Sequence, residues 1–424
     1  MVLLISFLFI LGYVAIVMEH PLRINKAASA IITGVICWSI YALGSGNKEH
    51  VSEALLVNLG EVSGILFFLL GAMVIVELID AHDGFEIVVE RIQTTNKRKL
   101  VWVIGFITFF LSAILDNLTT SIVMVSLLRK IIKDDKDRLL FAGLVIIAAN
   151  AGGAWSPIGD VTTTMLWIGG QITPVNIIIK SILPSLVCFI VPAFFISRKL
   201  TGNFPINDDP GKAMITSSRV DRNAVFFVGV AALVFVPVFK TVTHLPPFMG
   251  ILFGLGILWI ITEMIHSGKD EGERGILSVN HALRKIDTPS ILFFLGILLS
   301  IGALQATGIL GNLAQWMNET IGNFNIITLL TGFLSAIVDN VPLVAAAQGM
   351  YSQGQFPTDH FFWSFLAYCA GTGGSMLIIG SAAGIAVMGM ERISFFWYLK
   401  KIAWLALIGY LSGALVFLLQ EQFL

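Results

Sequence analysis

Ten apolar segments, each long enough to cross a lipid bilayer, constrain this chain more than any other feature. A helix of about 20 apolar residues spans the roughly 30 Å hydrocarbon core of a membrane. Of the 424 residues, 56% are hydrophobic and only 12% are charged, whereas soluble domains carry about 25% charged residues. Lipid must therefore cover the outer faces of the helices, which predicts an all-α polytopic membrane protein. The predicted crossings are residues 2–18, 25–43, 62–79, 139–171, 177–197, 223–240, 246–266, 289–306, 361–391 and 396–419.

Two further apolar segments, 100–128 and 325–352, have a polar centre and are predicted to enter the membrane without crossing it. Basic clusters flank the first segment on both sides, at Lys97–Lys99 and at Arg129–Lys133. A single crossing would place one cluster outside, against the positive-inside rule. A re-entrant hairpin keeps both clusters in the cytoplasm. With both chain termini outside, this topology leaves few of the 26 Lys and Arg residues outside, namely Lys48, Lys180 and Lys240.

The sequence also contains an internal repeat. Phe110–Asn117 (FLSAILDN) recurs as Phe333–Asn340 (FLSAIVDN), and residues 150–160 align with residues 371–381 in the same order. Each half has an odd number of crossings, five, so the second copy must be inverted, an architecture typical of secondary transporters. The first predicted repeat, residues 1–200, contains a hairpin on the cytoplasmic side at 100–128 and a broken helix at 139–171. A cytoplasmic linker at 201–222 follows. The second, inverted repeat, residues 223–424, contains a hairpin on the outside at 325–352 and a broken helix at 361–391.

Asp116, in the first hairpin, and Asp160, in the first broken helix, are the leading candidates for an ion-binding and proton-binding site. A carboxylate at the bilayer centre costs about 2.5–3.5 kcal/mol on insertion scales, so a cation, a proton or hydrogen-bond donors must compensate it. Burial favours the protonated form and a nearby cation favours the ionised form. Such a group binds either a proton or Na⁺, which is a minimal mechanism of exchange. The alternative for Asp116, Asp160 and Asp339 is that each caps a helix without touching an ion.

Neutral oxygen donors surround these carboxylates in the sequence. Sodium is a hard cation and should prefer oxygen ligands, as the hard divalent ions do. We predict Na⁺ at Asp116, Asp160, Asn117 and Thr163, and expect the second half to contribute less, because Ser381 stands where the first half has Asp160. The other candidates are Ser112, Thr119, Thr120, Asn150, Ser156, Thr162 and Thr164 in the first half, with Asp339, Asn340, Ser375 and Ser381 as second-half support.

Other functions find less support in the sequence. There is no G-x-S-x-G elbow, H-E-x-x-H pair or P-loop, so we expect neither an enzyme nor a cofactor, and no nucleic-acid partner. Helix N-termini at the breaks would suit an oxyanion such as arsenite or a carboxylate, but three aspartates would repel it and no Lys or Arg lies at the hairpin tips. A channel stays open as an alternative. The polar cluster Glu77, Asp80, His82 and Asp83 is expected to be solvated surface.

Two motifs carry a family resemblance that extends over the whole chain: Leu115–Thr120 (LDNLTT) and Ser156–Thr163 (SPIGDVTT). At these residues the chain resembles the NhaD-type sodium/proton antiporters, in the ion transporter superfamily that also contains ArsB-type and dicarboxylate carriers. The resemblance implies exchange of external protons for internal Na⁺ or Li⁺, a homodimer, and elevator-type movement of a unit made of both hairpins and both broken helices. We expect a bacterial inner membrane. The family's polar residues map to Ser112, Asp116, Asn117, Asn150, Asp160, Thr162, Thr163, Asn340 and Ser375.

Overall fold

The structure is a computed structural model that describes residues 1–423 except 90, 91, 93, 205–217, 268–274 and 276. The middle of the predicted linker 201–222 lies outside the described residues. Within the described residues every regular element is a helix, apart from one isolated bridge between Asn96 and Asn203. This confirms the predicted all-α class.

Eighteen helices of seven residues or more are described, together with short helical turns at Glu19–Leu22 and Glu86–Val89. The first half contains α1 (Val2–Val17), α2 (Lys26–Gly44), α3 (Lys48–Ala81), α4 (Lys97–Leu115), α5 (Asn117–Ile131), α6 (Asp135–Gly153), α7 (Val161–Ile168) and α8 (Pro174–Lys199). The second half contains α9 (Arg219–Thr243), α10 (Pro247–Ile265), α11 (Val279–Lys285), α12 (Thr288–Ala306), α13 (Ile309–Ile321), α14 (Phe324–Ser335), α15 (Asn340–Met350), α16 (Phe361–Gly373), α17 (Ala382–Glu391) and α18 (Phe395–Glu421).

Among the described residues, eight of these helices are long and apolar enough to cross a membrane: α2, α3, α4, α8, α9, α10, α12 and α18. Helix α4 is one of them by length and composition, although the sequence analysis makes it one arm of a hairpin. Large apolar side chains remain exposed along α9 and α10, for example Phe227 and Ile260, as expected of surfaces that face lipid. The chain is a polytopic membrane protein.

Helices α6 and α16 form the centre of the molecule. Every side chain from Phe141 to Gly153 in α6, and from Phe362 to Gly373 in α16, is buried. A helix that is apolar on all sides is stable only when other helices surround it. Both helices end in glycine, and the chain then runs without regular structure through residues 154–160 and 374–381 before α7 and α17 begin. The helix breaks therefore lie in the protein interior.

Contacts between helix ends define one face of the molecule, which we call the basic face. The Lys97 ammonium at the start of α4 lies 2.5 Å from the Asp137 carboxylate at the start of α6. The Lys97 backbone N–H donates to the Gly202 carbonyl, just beyond α8, at 3.1 Å. Glu391, at the end of α17, accepts hydrogen bonds from one arginine at the end of α5 and another at the start of α6. Both ends of the α4–α5 pair thus lie on the basic face.

The opposite face is defined by contacts at the other end of α8. The Thr173 backbone N–H donates to Asp359, just before α16, at 2.6 Å. The Phe324 ring at the start of α14 lies 5.9 Å from the Tyr351 ring just after α15 and 4.9 Å from the Phe356 ring, three residues before Asp359. Helix α8 has 26 residues, which is about 39 Å, and it connects the two faces. Both ends of the α14–α15 pair therefore lie on the face opposite the basic face.

Candidate functional site

Asp160 is a buried carboxylate whose partners are neutral. Its residue is only 2% exposed, and it caps α7 by accepting the Thr162 backbone N–H at 3.3 Å. The Asn340 amide nitrogen donates to its two oxygens at 3.1 and 3.4 Å. Among the described residues, no Lys, Arg or His forms an ion pair with it. Long hydrogen bonds to neutral donors compensate a buried charge poorly, so this carboxylate needs a cation or a proton.

Asp116 connects α4 to α5 in a backbone conformation that non-glycine residues rarely adopt, with φ 99° and ψ 161°. Such conformations cost about 1–3 kcal/mol and cluster at functional sites. Its two oxygens accept the Thr119 backbone N–H and the Thr119 hydroxyl, each at 2.8 Å. In the described part of the chain it also forms no ion pair.

Capping is therefore observed at Asp116 and Asp160, and Asp339 likewise caps α15 through Val341. Capping does not exclude ion binding, since an ionised carboxylate has two oxygens and about four acceptor positions. Contacts of neighbouring residues bring the segments together: Asn340, next to Asp339, donates to Asp160, and Ser156, shortly before Asp160, donates to the Ala113 carbonyl, three residues before Asp116. Three carboxylates are thus brought into one region, and any cation there is attracted by more than one of them.

A buried amide network joins the two halves beside these carboxylates. The Asn117 amide nitrogen donates to the Asn150 side-chain oxygen at 2.9 Å. The Asn150 amide nitrogen in turn donates to the hydroxyls of Ser375 and Ser381, each at 3.0 Å. Asn150 is fully buried. The network therefore fixes α5, α6 and the second helix break relative to one another.

Most of the other predicted hydroxyl ligands bind backbone carbonyls instead. Their hydrogen bonds hold the first helix break in place and do not reach a carboxylate. The hydroxyl of Thr120 is buried without a hydrogen-bond partner among the described residues. The four hydroxyls that donate to backbone carbonyls are those of Ser112 to Ala149 at 2.6 Å, Ser156 to Ala113 at 2.5 Å, Thr163 to Asp160 at 2.9 Å and Thr164 to Pro157 at 3.0 Å.

Asp339 differs from the other two carboxylates because a lysine lies beside it. The Lys26 ammonium, at the start of α2, is 3.7 Å from the Asp339 carboxylate. The expectation that no Lys or Arg lies at the hairpin tips is therefore wrong. Lys26 precedes an apolar segment far away in sequence, so only the tertiary packing of α2 brings it to this tip.

A cavity of about 340 Å³ leads from the basic face toward Asp116. Its deep end is lined by Thr119, which binds Asp116, and its outer part by charged residues at the ends of α3, α5 and α11. Acidic side chains dominate the outer lining, so a cation can approach Thr119 through a region of negative potential. The charged lining residues are Glu77, Asp80, Asp83, Glu86, Asp287, Lys130 and Lys285.

The polar cluster at the end of α3 is only partly solvated surface. His82 is fully buried, and its Nε2 atom lies 2.8 Å from Nε2 of His266 at the end of α10. The prediction was therefore wrong for His82. Nothing in the local sequence identifies this pair, because the two histidines lie on different helices in different halves.

Comparison with known proteins finds relatives that match almost the whole chain. The model of the citrate transporter family (CitMHS) matches residues 6–367. "Sodium/proton antiporter 2" of Arabidopsis thaliana is 47% identical over 99% of this chain and 99% of its own length. "Sodium/proton antiporter 1" of the same plant is 50% identical over 97% of this chain and 71% of its own length.

A bacterial relative, the "Na(+)/H(+) antiporter NhaD" of Alkalimonas amylolytica, is 30% identical over 97% of this chain and 89% of its own length. The prediction of a transporter, not an enzyme, is confirmed by these relatives. The chain belongs to the citrate transporter (CitMHS) family and to the NhaD-type sodium/proton antiporters.

Proposed function

We propose that this protein exchanges Na⁺ or Li⁺ for H⁺ across a membrane by alternating access, with Asp116 and Asp160 carrying the ion or the protons. The observation that supports this most directly is the buried Asp160 carboxylate, which has neutral hydrogen-bond partners and no basic partner among the described residues. With Na⁺ bound the carboxylates are compensated as anions, and without Na⁺ they are compensated by protonation. The relatives that are named sodium/proton antiporters support the same pair of substrates.

In this proposal neighbouring amide and hydroxyl side chains complete the site. Asn340 orients the Asp160 carboxylate from the second half, and Thr119 orients that of Asp116. Asn117, Thr120, Thr162 and Thr163 supply nearby neutral oxygens. Competition between Na⁺ and H⁺ for the same carboxylates couples the two fluxes. A site with ionised carboxylates and no bound Na⁺ has a high free energy inside the membrane, so the site contains either Na⁺ or protons.

The contacts support two inverted repeats, each with a hairpin. Ser112 donates to the Ala149 carbonyl and Ser335 to the Ala370 carbonyl, at 2.6 and 2.7 Å, so the repeated motif makes the same bond twice. The hairpin arms α14 and α15 have 12 and 11 residues, about 18 and 16 Å, too short to cross about 30 Å of hydrocarbon. The two hairpins begin and end on opposite faces, as inversion requires.

The conformation described is an inward-facing one in this proposal. The positive-inside rule assigns the basic face to the cytoplasm, and the cavity that reaches Thr119 lies at the basic face. Helices α4–α7 and α14–α17 would form the moving unit of an elevator, with the remaining helices as a scaffold and dimer contact. The proposed location is a bacterial inner membrane.

Transport of a carboxylate or an oxyanion is the second candidate, because the matching family model is named for citrate. Such a substrate needs an available cation in the site. Lys26 is the one basic residue that the structure places at a hairpin tip within the described ranges, and it is paired with Asp339. The uncompensated groups here are carboxylates, which favours a cationic substrate.

Proteoliposomes with an imposed proton gradient and an internal pH dye test the proposal. We expect Na⁺ and Li⁺, but not K⁺, to dissipate the gradient. Asp116→Asn and Asp160→Asn should each abolish this exchange, whereas the control Glu53→Gln, an exposed residue of α3, should not. Exchange at the wild-type rate in either Asp variant would remove that residue from the mechanism. Dissipation by citrate or arsenite alone would replace the cation site with the second candidate.

A further inference from the structure

The carboxylate at the second hairpin tip is compensated by the protein itself. The side chains of Lys26 and Asp339 are 22% and 18% exposed, and their charged atoms lie 3.7 Å apart. The Lys26 ammonium also lies 4.4 Å from the centre of the Phe293 ring on α12. An ammonium between a carboxylate and an aromatic face is stabilised by both.

The position of Lys26 is fixed by the start of α2. Asn25 caps the helix by accepting the Ala27 backbone N–H at 2.8 Å, and Glu19 accepts the Lys26 backbone N–H at 3.1 Å. These bonds hold the backbone of Lys26 while its side chain extends toward the hairpin. The lysine therefore reaches Asp339 from a helix that lies outside both hairpins and both broken helices.

The equivalent carboxylate of the first repeat has a different environment. Asp116 occupies the position that matches Asp339 in the repeated motif, yet it forms no ion pair within the described residues. Its backbone φ is 99°, whereas that of Asp339 is −50°. The two tips thus share a sequence motif, but Asp116 has no cationic partner among the described residues, whereas Asp339 is paired with the Lys26 ammonium.

We propose that Lys26 is an internal counter-ion for the second hairpin tip. It neutralises Asp339, so that Asp339 carries neither Na⁺ nor H⁺ in the exchange cycle, and it contacts that tip from the scaffold in the inward-facing conformation. This inference rests on the proposed function for the exchange cycle, but the ion pair itself is independent of it. Lys26 acts through Asp339 and is a positioning residue.

Removing the lysine should be harmful only while Asp339 is charged. In Lys26→Gln the Asp339 carboxylate, which is only 18% exposed, loses its cation next to Asn340, the residue that binds Asp160; we expect turnover to fall by about tenfold or more, since a partly buried charge without a partner is costly. The double variant Lys26→Gln/Asp339→Asn has no unpaired charge and should recover to within about threefold of wild type. Lys26→Arg should remain active, and the control Lys48→Gln, an exposed residue at the start of α3, should behave as wild type.

The experiment measures Na⁺-dependent proton flux in proteoliposomes and the thermal unfolding midpoint in detergent for wild type, for these four variants and for the single variant Asp339→Asn. Recovery of both flux and midpoint in the double variant supports the proposal. A double variant as inactive as Lys26→Gln, or a Lys26→Gln variant as active as wild type, overturns it. If wild type shows no Na⁺-dependent flux, the proposed function fails, while the unfolding midpoints still test the pair: non-additive effects of the two substitutions support it and additive effects overturn it.

Discussion

Gly152, the penultimate residue of α6, allows two buried helices to approach closely, and adding one methyl group there should be costly. A Cβ atom at this position would lie 2.2 Å from the Phe109 carbonyl oxygen of α4, whereas ordinary contacts begin near 3.4 Å. The obstructing atom is backbone and cannot rotate away. In Gly152→Ala the two helices must therefore separate by about 1.2 Å locally, and overpacking of this kind costs about 1–3 kcal/mol.

We expect the upper part of that range. Both helices are buried, and separating them also stretches the 2.6 Å hydrogen bond from Ser112 to the Ala149 carbonyl. Two residues before the glycine, the Asn150 side-chain oxygen accepts a hydrogen bond from the Asn117 amide nitrogen at 2.9 Å, so the displacement extends into the candidate site. A loss of about 2–3 kcal/mol corresponds to a lower unfolding midpoint on the order of 2–3 °C for a chain of this size.

Thermal unfolding in detergent, followed by the fluorescence of the nine tryptophans, measures the midpoint. Gly373→Ala is the matched variant in the second half, because its Cβ would lie 2.2 Å from the Gly332 carbonyl oxygen. Gly256→Ala is the control: nothing lies within 4 Å of its added Cβ, and it should be neutral or stabilising by up to about 1 kcal/mol. The reasoning is refuted if Gly152→Ala or Gly373→Ala unfolds at the same temperature as Gly256→Ala.

Two further substitutions probe buried polar contacts. Asn150→Ala removes the acceptor of the Asn117 amide and leaves that buried donor without a partner. We therefore expect the free energy of unfolding to fall by about 1–3 kcal/mol and Na⁺/H⁺ exchange to be slower. An unchanged unfolding midpoint would contradict the network. Glu391→Gln leaves Arg129 and Arg138 without the carboxylate that both contact, at 2.6 and 2.7 Å. Because these arginines are 47% and 19% exposed and regain water, we expect a cost below the roughly 3–5 kcal/mol of a fully buried pair, and a variant as stable as wild type would contradict the contact.

Features set by local chemistry were predictable from the sequence. The glycines at 152–153 and 373–374 indicated interrupted helices, and Asp160 was a candidate helix cap; in the structure α6 and α16 end at Gly153 and Gly373, and Asp160 caps α7. Capping depends on a side chain and a backbone N–H only two or three residues away. Apolar length similarly indicated membrane helices, because the hydrocarbon core imposes one minimum length on all of them.

Contacts between distant elements were not predictable in this way. Lys26 and His82 both lie at helix ends in polar stretches, where solvation is the ordinary expectation. The structure instead brings them to Asp339 and His266, which are in the other half of the chain. A sequence without an alignment contains no signal for such pairs, since neither residue type nor local spacing distinguishes a paired lysine from a solvated one.

The asymmetry of the site limits how many protons the proposed exchange can move. The two helix breaks have nearly the same backbone, with φ and ψ of −143° and 146° at Asp160 and −143° and 152° at Ser381, but the second position has no carboxylate. In the proposed exchange Asp339 is compensated by Lys26, so only Asp116 and Asp160 remain to exchange protons. At most two protons can therefore enter for each Na⁺ that leaves. Reversal potentials in proteoliposomes measure this ratio, and a value above two would mean that Asp339, or another group, releases its partner and joins the cycle.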